Sequence, residues 1–224
     1  MARYSYCFFD LDGTLLYTLE DLKDSMNFIL KAYGYPEKSL DEIRHAVGNG
    51  LSKLAERCFP SGSDTEAFDE KVRRFKAYYA AHSDIKTRVY DGICDMLDSL
   101  KDAGIEMAVI TNKVQIAADT LTEKYFPSVM SAVHGDREGC MRKPSPEPVL
   151  EVMHELGAKA EECIYVGDSE VDMQTAENAG LSCILCSWGF RGRDACLALS
   201  PDFVADTPRE AADYILGTDL GGKA

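Results

Sequence analysis

The order of apolar runs and amphipathic segments along the chain predicts strands that alternate with helices. Residues 6–9 form a short apolar and aromatic run, which is typical of a buried strand. Similar runs predict strands at residues 105–110, 129–134, 162–166, 181–185 and 203–204, and helical spacing separates most of them. Strands that alternate with helices favour a parallel sheet covered on both faces, so the predicted fold class is α/β.

Residues 15–85 differ from the rest, because their apolar positions recur at spacings of three and four and no strand is predicted among them. We predict helices at residues 18–33, from 39 or 41 to about 47, 51–58 and 65–81, with Thr18 capping the first. A loop is predicted at residues 60–64 and a loose tail at residues 217–224. The chain therefore divides into a core domain, residues 1–14 and 86–224, and a helical cap domain, residues 15–85.

Polar residues follow three of the predicted core strands. Asp10 and Asp12 follow the first strand, and Thr111 follows the second. Asp168 and Asp172 follow a later one. Because parallel strands present their carboxyl ends at one edge of the sheet, where ligands bind, we expect these side chains to converge. The helical insert leaves the core just after the first strand, so we expect it to cover the same edge as a lid.

The pair Asp10 and Asp12 indicates chemistry. Carboxylates only two residues apart repel each other, and a bound divalent cation removes that conflict. A carboxylate at a strand end can also act as a nucleophile and form an aspartyl-phosphate, with its neighbour as general acid and base. For these residues alone, an aspartate-rich turn without a chemical role remains the alternative.

Four short motifs resemble, in the same order along the chain, the signature of the haloacid dehalogenase superfamily. They are Asp-Leu-Asp-Gly-Thr at residues 10–14, Ile-Thr-Asn-Lys at 110–113, Lys-Pro at 143–144, and Gly-Asp-Ser at 167–169 with Asp172. The resemblance covers nearly the whole chain. It implies a Rossmann-like, three-layer parallel-sheet core with a small helical cap of the C1 type inserted after the first strand.

The resemblance implies catalytic roles for four residues. Asp10 would attack phosphorus, and Asp12 would protonate the leaving alkoxide and then deprotonate the hydrolytic water. Thr111 would bind a phosphoryl oxygen, assisted by the backbone N–H of Asn112, and Lys143 would neutralise charge on the nucleophile and the phosphoryl group. Helix capping by Thr111 and Asn112, and an exposed loop position for Lys143, are the alternatives without catalysis.

The same resemblance implies Mg²⁺ as the cofactor. Its ligands would be Asp10, Asp168 and the backbone carbonyl of Asp12. Asp172 would bind the ion through water or orient Lys143. A helix-capping role is the alternative for Asp168.

Weaker patterns outside the motifs suggest substrate contacts. Gly48-Asn49-Gly50 lies at a predicted helix start in the cap, where backbone N–H groups suit an anion such as a substrate carboxylate. A helix break without function would give the same pattern. We expect Lys53, three residues later, and Arg191, after the last central strand, to contact substrate as well.

Within the superfamily, the motifs are similar to those of phosphoglycolate phosphatases, so we expect hydrolysis of a small phosphomonoester resembling 2-phosphoglycolate. A β-phosphoglucomutase-like phosphotransferase shares both acids and remains an alternative. A phosphonatase would use a cap lysine, for which Lys53 is the candidate, but Asp12 stands where that class has a small apolar residue. A binding protein that keeps the fold but has lost catalytic activity is the third alternative, although all the motif residues are present.

The composition of the chain limits which binding partners and which cellular compartment are expected. The formal net charge of −14 disfavours nucleic acid and anionic membranes. No apolar stretch approaches the length of a membrane span, and the first residues leave no room for a signal peptide before the first strand. The eight cysteines are therefore expected to be reduced thiols of a cytoplasmic protein. The expected partner is a small phosphate ester, and no pattern indicates an oligomeric state.

Overall fold

The structure is a computed structural model that describes residues 2–60 and 65–218. Residues 61–64 of the loop predicted at 60–64, and residues 219–224 of the tail predicted at 217–224, lie outside the described residues. The chain forms two compact units, one up to Leu16 and again from Val89, the other comprising Tyr17–Arg88. We refer to them as the α/β unit and the helical unit.

Strands and helices alternate along most of the described chain. The strands are β1 (Tyr6–Phe9), β2 (Leu16–Tyr17), β3 (Arg88–Val89), β4 (Glu106–Val114), β5 (Ala132–Asp136), β6 (Cys163–Gly167), β7 (Ser182–Cys186) and β8 (Phe203–Ala205). The helices are α1 (Leu19–Ala32), α2 (Leu40–Ala46), α3 (Leu51–Cys58), α4 (Thr65–His82), α5 (Ile93–Asp102), α6 (Gln115–Tyr125), α7 (Glu147–Leu156), α8 (Glu170–Ala179), α9 (Arg193–Ala198) and α10 (Pro208–Leu216). A short 3₁₀ turn spans Ala160–Glu162.

The α/β unit is built on a six-stranded parallel sheet with the strand order β5-β4-β1-β6-β7-β8. Strand β1 is central, with Tyr6 opposite Glu106 of β4 and Cys163 of β6. The α/β fold class predicted from the sequence is confirmed. Because every strand runs in the same direction, the ends of β1, β4 and β6 lie side by side at one edge.

Buried apolar side chains cover both faces of this sheet. Along β1, Cys7 and Phe9 join one cluster with Leu97 of α5, whereas Phe8 joins the other with Val152 of α7. Successive strand residues point to opposite faces, which explains the division. A central strand buried on both faces requires a continuous apolar run, and this is why the sequence identified β1 so clearly.

Several predicted boundaries are wrong. Strand β4 does not end at Ile110 but continues to Val114, with an irregular register beyond Ile110. The prediction of no strand between residues 15 and 85 also fails, because the two-residue strand β2 pairs with β3 in a separate sheet. Helix α9 was not predicted, since six residues offer less than two turns of periodicity.

The helical unit contains α1, α2, α3 and α4. Thr18 precedes α1 as predicted, but its side chain makes no capping hydrogen bond, and its buried hydroxyl has no hydrogen-bond partner among the described residues. Ser39 caps α2 by accepting a hydrogen bond from the backbone N–H of Glu42, at 3.2 Å. No helix in the described parts of the chain combines the length and the apolar character needed to cross a membrane.

Candidate active site

Asp10 lies at the centre of the sheet edge, directly after β1. Its backbone N–H donates to the carbonyl of Val166 on β6 at 2.9 Å, so the ladder continues to this residue. The chain then turns at Gly13, whose φ of +92° lies in the left-handed region that favours glycine. A Cβ atom at Gly13 would lie 2.6 Å from the Asp168 carboxylate. The glycine therefore permits both the turn and the close approach of a second acid.

The Asp10 carboxylate is buried and incompletely satisfied. Its Oδ1 lies 3.0 Å from Lys143 Nζ as an ion pair, yet it accepts no hydrogen bond from the described residues. Burial raises the pKa of Asp10 to about 6, against the attraction of Lys143, and repulsion from Asp172 and Asp12 adds to the increase. An acidic group in this state favours a proton or a cation beside it.

Lys143 is fixed among three oxygen atoms. Its Nζ donates to Asp172 Oδ1 at 2.7 Å and to the Tyr165 hydroxyl at 3.0 Å, in addition to its contact with Asp10. Burial opposes the charged form, but Asp10 and Asp172 raise the pKa of Lys143 well above its usual value. Asn112 holds the lysine backbone by donating its Nδ2 to the Lys143 carbonyl at 3.1 Å. The alternative of an exposed loop lysine is excluded by this burial.

Asp172 is engaged through both carboxylate oxygens. Its Oδ1 accepts from Lys143, and its Oδ2 accepts from the backbone N–H groups of Asp168 and Ser169 at 3.1 Å and from the Ser169 hydroxyl at 2.6 Å. These bonds close the start of α8, where an acidic side chain also meets the positive end of the helix dipole. Asp172 therefore links Lys143 to the β6–α8 turn.

Asp168 follows β6 and is enclosed by the loop after β7. The Phe190 backbone N–H donates to Asp168 Oδ2 at 2.6 Å. A Cβ atom at Gly189 would overlap the Asp168 Cβ, so only glycine allows the loop to pass this close. Burial, followed by repulsion from Asp172 and Asp10, raises the pKa of Asp168 well above its usual value. The direct contact of this loop with Asp168 was not predicted, since a sequence pattern shows only that Gly189 and Phe190 follow β7.

One oxygen atom from each of Asp10, Asp168 and Asp172 lies within 4.8 Å of the others. Carboxylate oxygens are the ligands that Mg²⁺ prefers, and Asp10 Oδ1 is paired with Lys143 but accepts no hydrogen bond from the described residues. A cation would also offset the burial and repulsion that raise the pKa values of Asp10 and Asp168. The residues therefore fit a hard divalent metal ion.

Asp12 is not part of this cluster of three acids, and its carboxylate is paired with a different lysine, Lys113. Lys113 Nζ lies 3.0 Å from Asp12 Oδ1 and 3.2 Å from Oδ2. Lys113 belongs to one of the four motifs, but no role was predicted for it. Burial of the lysine, with 2% of its side chain exposed, is the signal that was not readable from the sequence.

The remaining predicted residues have local partners. Thr111 is buried within β4, and its hydroxyl accepts the Lys113 backbone N–H at 3.3 Å. It does not cap α6, which begins after Val114. Arg191 donates Nε and a terminal nitrogen to the two carboxylate oxygens of Glu170, at 2.8 and 3.0 Å. This fork-to-fork pair directs Arg191 towards α8.

The candidate residues of the helical unit lie around the start of α3. Gly48 and Gly50 have φ values of 125° and 82°, and Gly50 directly precedes the helix. The Asn49 side-chain oxygen accepts a hydrogen bond from Arg57 at 2.6 Å. Lys53 pairs with Glu56 at 2.6 Å and is more than half exposed. Within the unit, these contacts are compatible with a helix break as well as with an anion site.

Comparison with known proteins gives a consistent result. The model of the haloacid dehalogenase-like hydrolase family matches residues 7–186. A phosphoglycolate phosphatase of Agrobacterium fabrum is 35% identical over 207 residues, covering 88% of this chain and 86% of that protein. A phosphoglycolate phosphatase of Pseudomonas putida is 33% identical over 207 residues, covering 90% of this chain and 76% of that protein. A crystal structure from Lactobacillus delbrueckii subsp. bulgaricus, provisionally named a phosphoglycolate phosphatase, gives a TM-score of 0.91 at 29% identity and covers 97% of this chain and 100% of that chain.

Proposed function

Because the chain belongs to the family of haloacid dehalogenase-like hydrolases, we propose that it is a phosphatase that cleaves a small phosphomonoester through an aspartyl-phosphate. One observation carries this proposal. A buried carboxylate oxygen of Asp10 accepts no hydrogen bond from the described residues, yet it lies beside Lys143 and two further acids. Three buried carboxylates around a single lysine are costly for folding, so the retention of this cluster is best explained by a reaction.

Asp10 is the proposed nucleophile and Asp12 the proposed acid and base. An Asp10 oxygen forms a bond to phosphorus while the bond from phosphorus to the alcohol oxygen breaks, and Asp12 gives its proton to the departing alkoxide. Water then attacks phosphorus and Asp12 accepts its proton. The bond from phosphorus to Asp10 breaks in the same step, which releases phosphate and restores the enzyme.

Lys143 and Thr111 are proposed to stabilise charge on the phosphoryl group. Lys143 is fixed by Asp172 and Tyr165, so it provides a positive charge that needs no reorganisation during the reaction. The Thr111 hydroxyl and the Asn112 backbone N–H are the proposed donors to a phosphoryl oxygen. This arrangement suits phosphoryl transfer, in which most of the catalysis comes from positioning and electrostatics.

We propose Mg²⁺ as the metal ion, held by Asp10, Asp168 and the Asp12 backbone carbonyl. When bound, it would supply positive charge against the phosphoryl oxygens. Asp172 is assigned to orienting Lys143 rather than to direct ligation, because both of its oxygens already accept hydrogen bonds.

The proposed substrate is a small phosphorylated acid such as 2-phosphoglycolate, and the similarity to phosphoglycolate phosphatases supports this choice. The backbone at Gly48–Gly50, with Lys53, is the proposed site for the substrate carboxylate, and Arg191 is a second proposed contact. Since the protein carries a net charge of −14, such local cations are needed to attract an anionic substrate. A cytoplasmic location is also proposed, and the eight free cysteines support it.

The test is phosphate release from a panel containing 2-phosphoglycolate, pyrophosphate and hexose phosphates, with Mg²⁺ and with EDTA. We expect Mg²⁺-dependent release with a preference for 2-phosphoglycolate. Asp10→Asn is expected to lower the rate by at least about 10³-fold, because the nucleophile is lost. Its matched control is Asp119→Asn, an exposed substitution on α6.

Each other outcome has a definite meaning. Release that survives Asp10→Asn would contradict the aspartyl-phosphate. Transfer of phosphate between hexose positions, without net release, would favour the mutase alternative. Cleavage of a phosphonate that depends on Lys53 would favour the phosphonatase, and Mg²⁺ binding without turnover of any ester would favour a binding protein.

A further inference from the structure

Each of the two acids in the proposed reaction is paired with its own buried lysine. Lys143 Nζ contacts Asp10 at 3.0 Å and is shared with Asp172. Lys113 Nζ contacts Asp12 through both carboxylate oxygens, at 3.0 and 3.2 Å. The Lys113 side chain is 2% exposed, whereas that of Asp12 is 23% exposed. The lysine is therefore buried, and the acid it holds is partly exposed.

The protein backbone fixes Lys113 from two sides. Its backbone N–H donates to the Thr111 hydroxyl at 3.3 Å. On the neighbouring strand β5, a Cβ atom at Gly135 would lie 2.7 Å from the Lys113 carbonyl oxygen, so the two backbones pack without an intervening side chain. Gln115 ties them together by accepting the Gly135 N–H at 2.7 Å and donating to the Val133 carbonyl at 2.8 Å. The Lys113 side chain is therefore attached to a backbone segment that is held in place by its neighbours.

We infer that Lys113 is a positioning residue that holds the Asp12 carboxylate in the orientation required for proton transfer to the leaving group. Two contacts to the two oxygens restrict rotation of the carboxylate, and general acid catalysis requires close, directed geometry. The lysine also provides the counter-charge for the carboxylate that forms when Asp12 gives up its proton. This inference rests on the proposed phosphatase function.

Substrates with different leaving groups distinguish a role in proton transfer from a merely structural role of Lys113. An alkyl phosphate needs a proton on its departing oxygen, whereas p-nitrophenyl phosphate has a stable leaving anion and needs none. We would measure kcat/KM, which reports phosphoryl transfer to Asp10 for both substrates. Lys113→Met is expected to lower kcat/KM at least about 10-fold for 2-phosphoglycolate and less than about 3-fold for p-nitrophenyl phosphate.

Matched variants complete the experiment. Asp12→Asn is expected to produce the same selectivity, and Lys113→Met is expected to add little in its presence, because residues that act as a unit are not additive. Lys101→Met, an exposed substitution on α5, is the control for loss of a lysine. Lys113→Gln replaces Lys113→Met if the latter does not fold. Equal losses for both substrates would overturn the inference, since they would indicate damage to the fold or contact with the phosphoryl group.

A second readout separates this inference from the proposed function. A crystal structure of Lys113→Met is expected to show the Asp12 carboxylate rotated or in several conformations, with Asp10 and Lys143 unchanged. An Asp12 side chain that keeps its orientation would overturn the inference whatever the activity. Absence of phosphate release by the wild-type protein would instead overturn the proposed function and leave the crystal structure of the variant to decide the role of Lys113.

Discussion

Asp21 of the helical unit and Asp10 of the α/β unit are both buried, but their carboxylates differ in how completely they are hydrogen-bonded. In the helical unit, Asp21 is 3% exposed, and its carboxylate accepts hydrogen bonds from the backbone N–H groups of residues 85–87 and from the Thr87 hydroxyl. It fastens the end of the unit to α1. Asp10 of the α/β unit retains a buried oxygen without a hydrogen bond from the described residues. The first carboxylate has a complete structural role, and the second does not.

The buried lysines differ in the same way. Lys71 of the helical unit donates to the Tyr35 hydroxyl at 2.8 Å and lies over three aromatic rings, which stabilise a cation through their faces. Lys143 of the α/β unit instead contacts two carboxylates and a phenol. Burial of a charge alone therefore does not identify a functional site. A concentration of like charges with incomplete hydrogen bonding does.

Removing each lysine is the strongest test of this contrast. Lys143→Met leaves Asp10 and Asp172 without their counter-charge, so we expect a loss of about 10²–10³-fold in kcat for phosphate release. Lys71→Met keeps a side chain of similar length among the rings and is expected to change kcat less than about 3-fold. Steady-state assays on both variants decide it. Similar losses would mean that the aromatic surroundings of Lys71 are as important for the reaction as the acidic ones of Lys143.

The pH dependence of stability should reveal Asp10. Its pKa is raised from 3.8 to about 6 in the metal-free protein, mainly by burial, so the folded state binds more protons than the unfolded state in this range. The contribution of Asp10 to the free energy of unfolding is complete below pH 3.8 and is lost as the pH rises through about 6. The free energy of unfolding is expected to fall by about 3 kcal/mol over this range. Denaturant unfolding in EDTA, for wild type and Asp10→Asn, measures it. Identical pH profiles for the two proteins would refute the raised pKa.

Neutralising one acid in each unit should change stability in opposite directions. Asp168→Asn removes a charge that burial and neighbouring acids disfavour while keeping an acceptor for Phe190, so the metal-free protein should become more stable. Asp21→Asn weakens several backbone hydrogen bonds and should cost about 1–3 kcal/mol. Thermal unfolding in EDTA compares the two. Mg²⁺ titration should show weaker binding only for Asp168→Asn, and destabilisation by both variants would contradict the contrast.

The smallest expected effect concerns the surface of the helical unit. Lys53 is exposed and pairs with Glu56 one turn along the same helix, so its loss should not unfold the unit. If it binds the substrate carboxylate, Lys53→Met should raise KM for 2-phosphoglycolate a few-fold and leave KM for p-nitrophenyl phosphate unchanged. Lys31→Met, an exposed substitution on α1, is the control. An unchanged KM for both substrates would remove Lys53 from the proposed carboxylate site.

Local patterns were sufficient for the elements that position the acids. The apolar run ending at Phe9 identified β1, and helix α3 has the predicted bounds. Predicted strand boundaries were wrong where pairing with a neighbouring strand determines where a strand ends. Strand β4 extends to Val114 because β5 pairs beside it, and Asp136 lies opposite Val114. No local pattern in Thr111–Lys113 distinguishes that continuation from a polar loop.

The amino-acid sequence alone specifies which residues are candidates for the chemistry and which strands they belong to or follow. Short continuous apolar runs indicate the strands, and apolar spacings of three and four indicate the helices. A parallel sheet then brings the ends of β1, β4 and β6 together. The pairing of the charges, in contrast, is set by tertiary packing. Whether Lys113 points to Asp12, or Asp172 uses both oxygens for Lys143 and the β6–α8 turn, depends on burial and on distances of about 3 Å between distant parts of the chain. Such distances follow from packing, which a one-dimensional pattern does not contain.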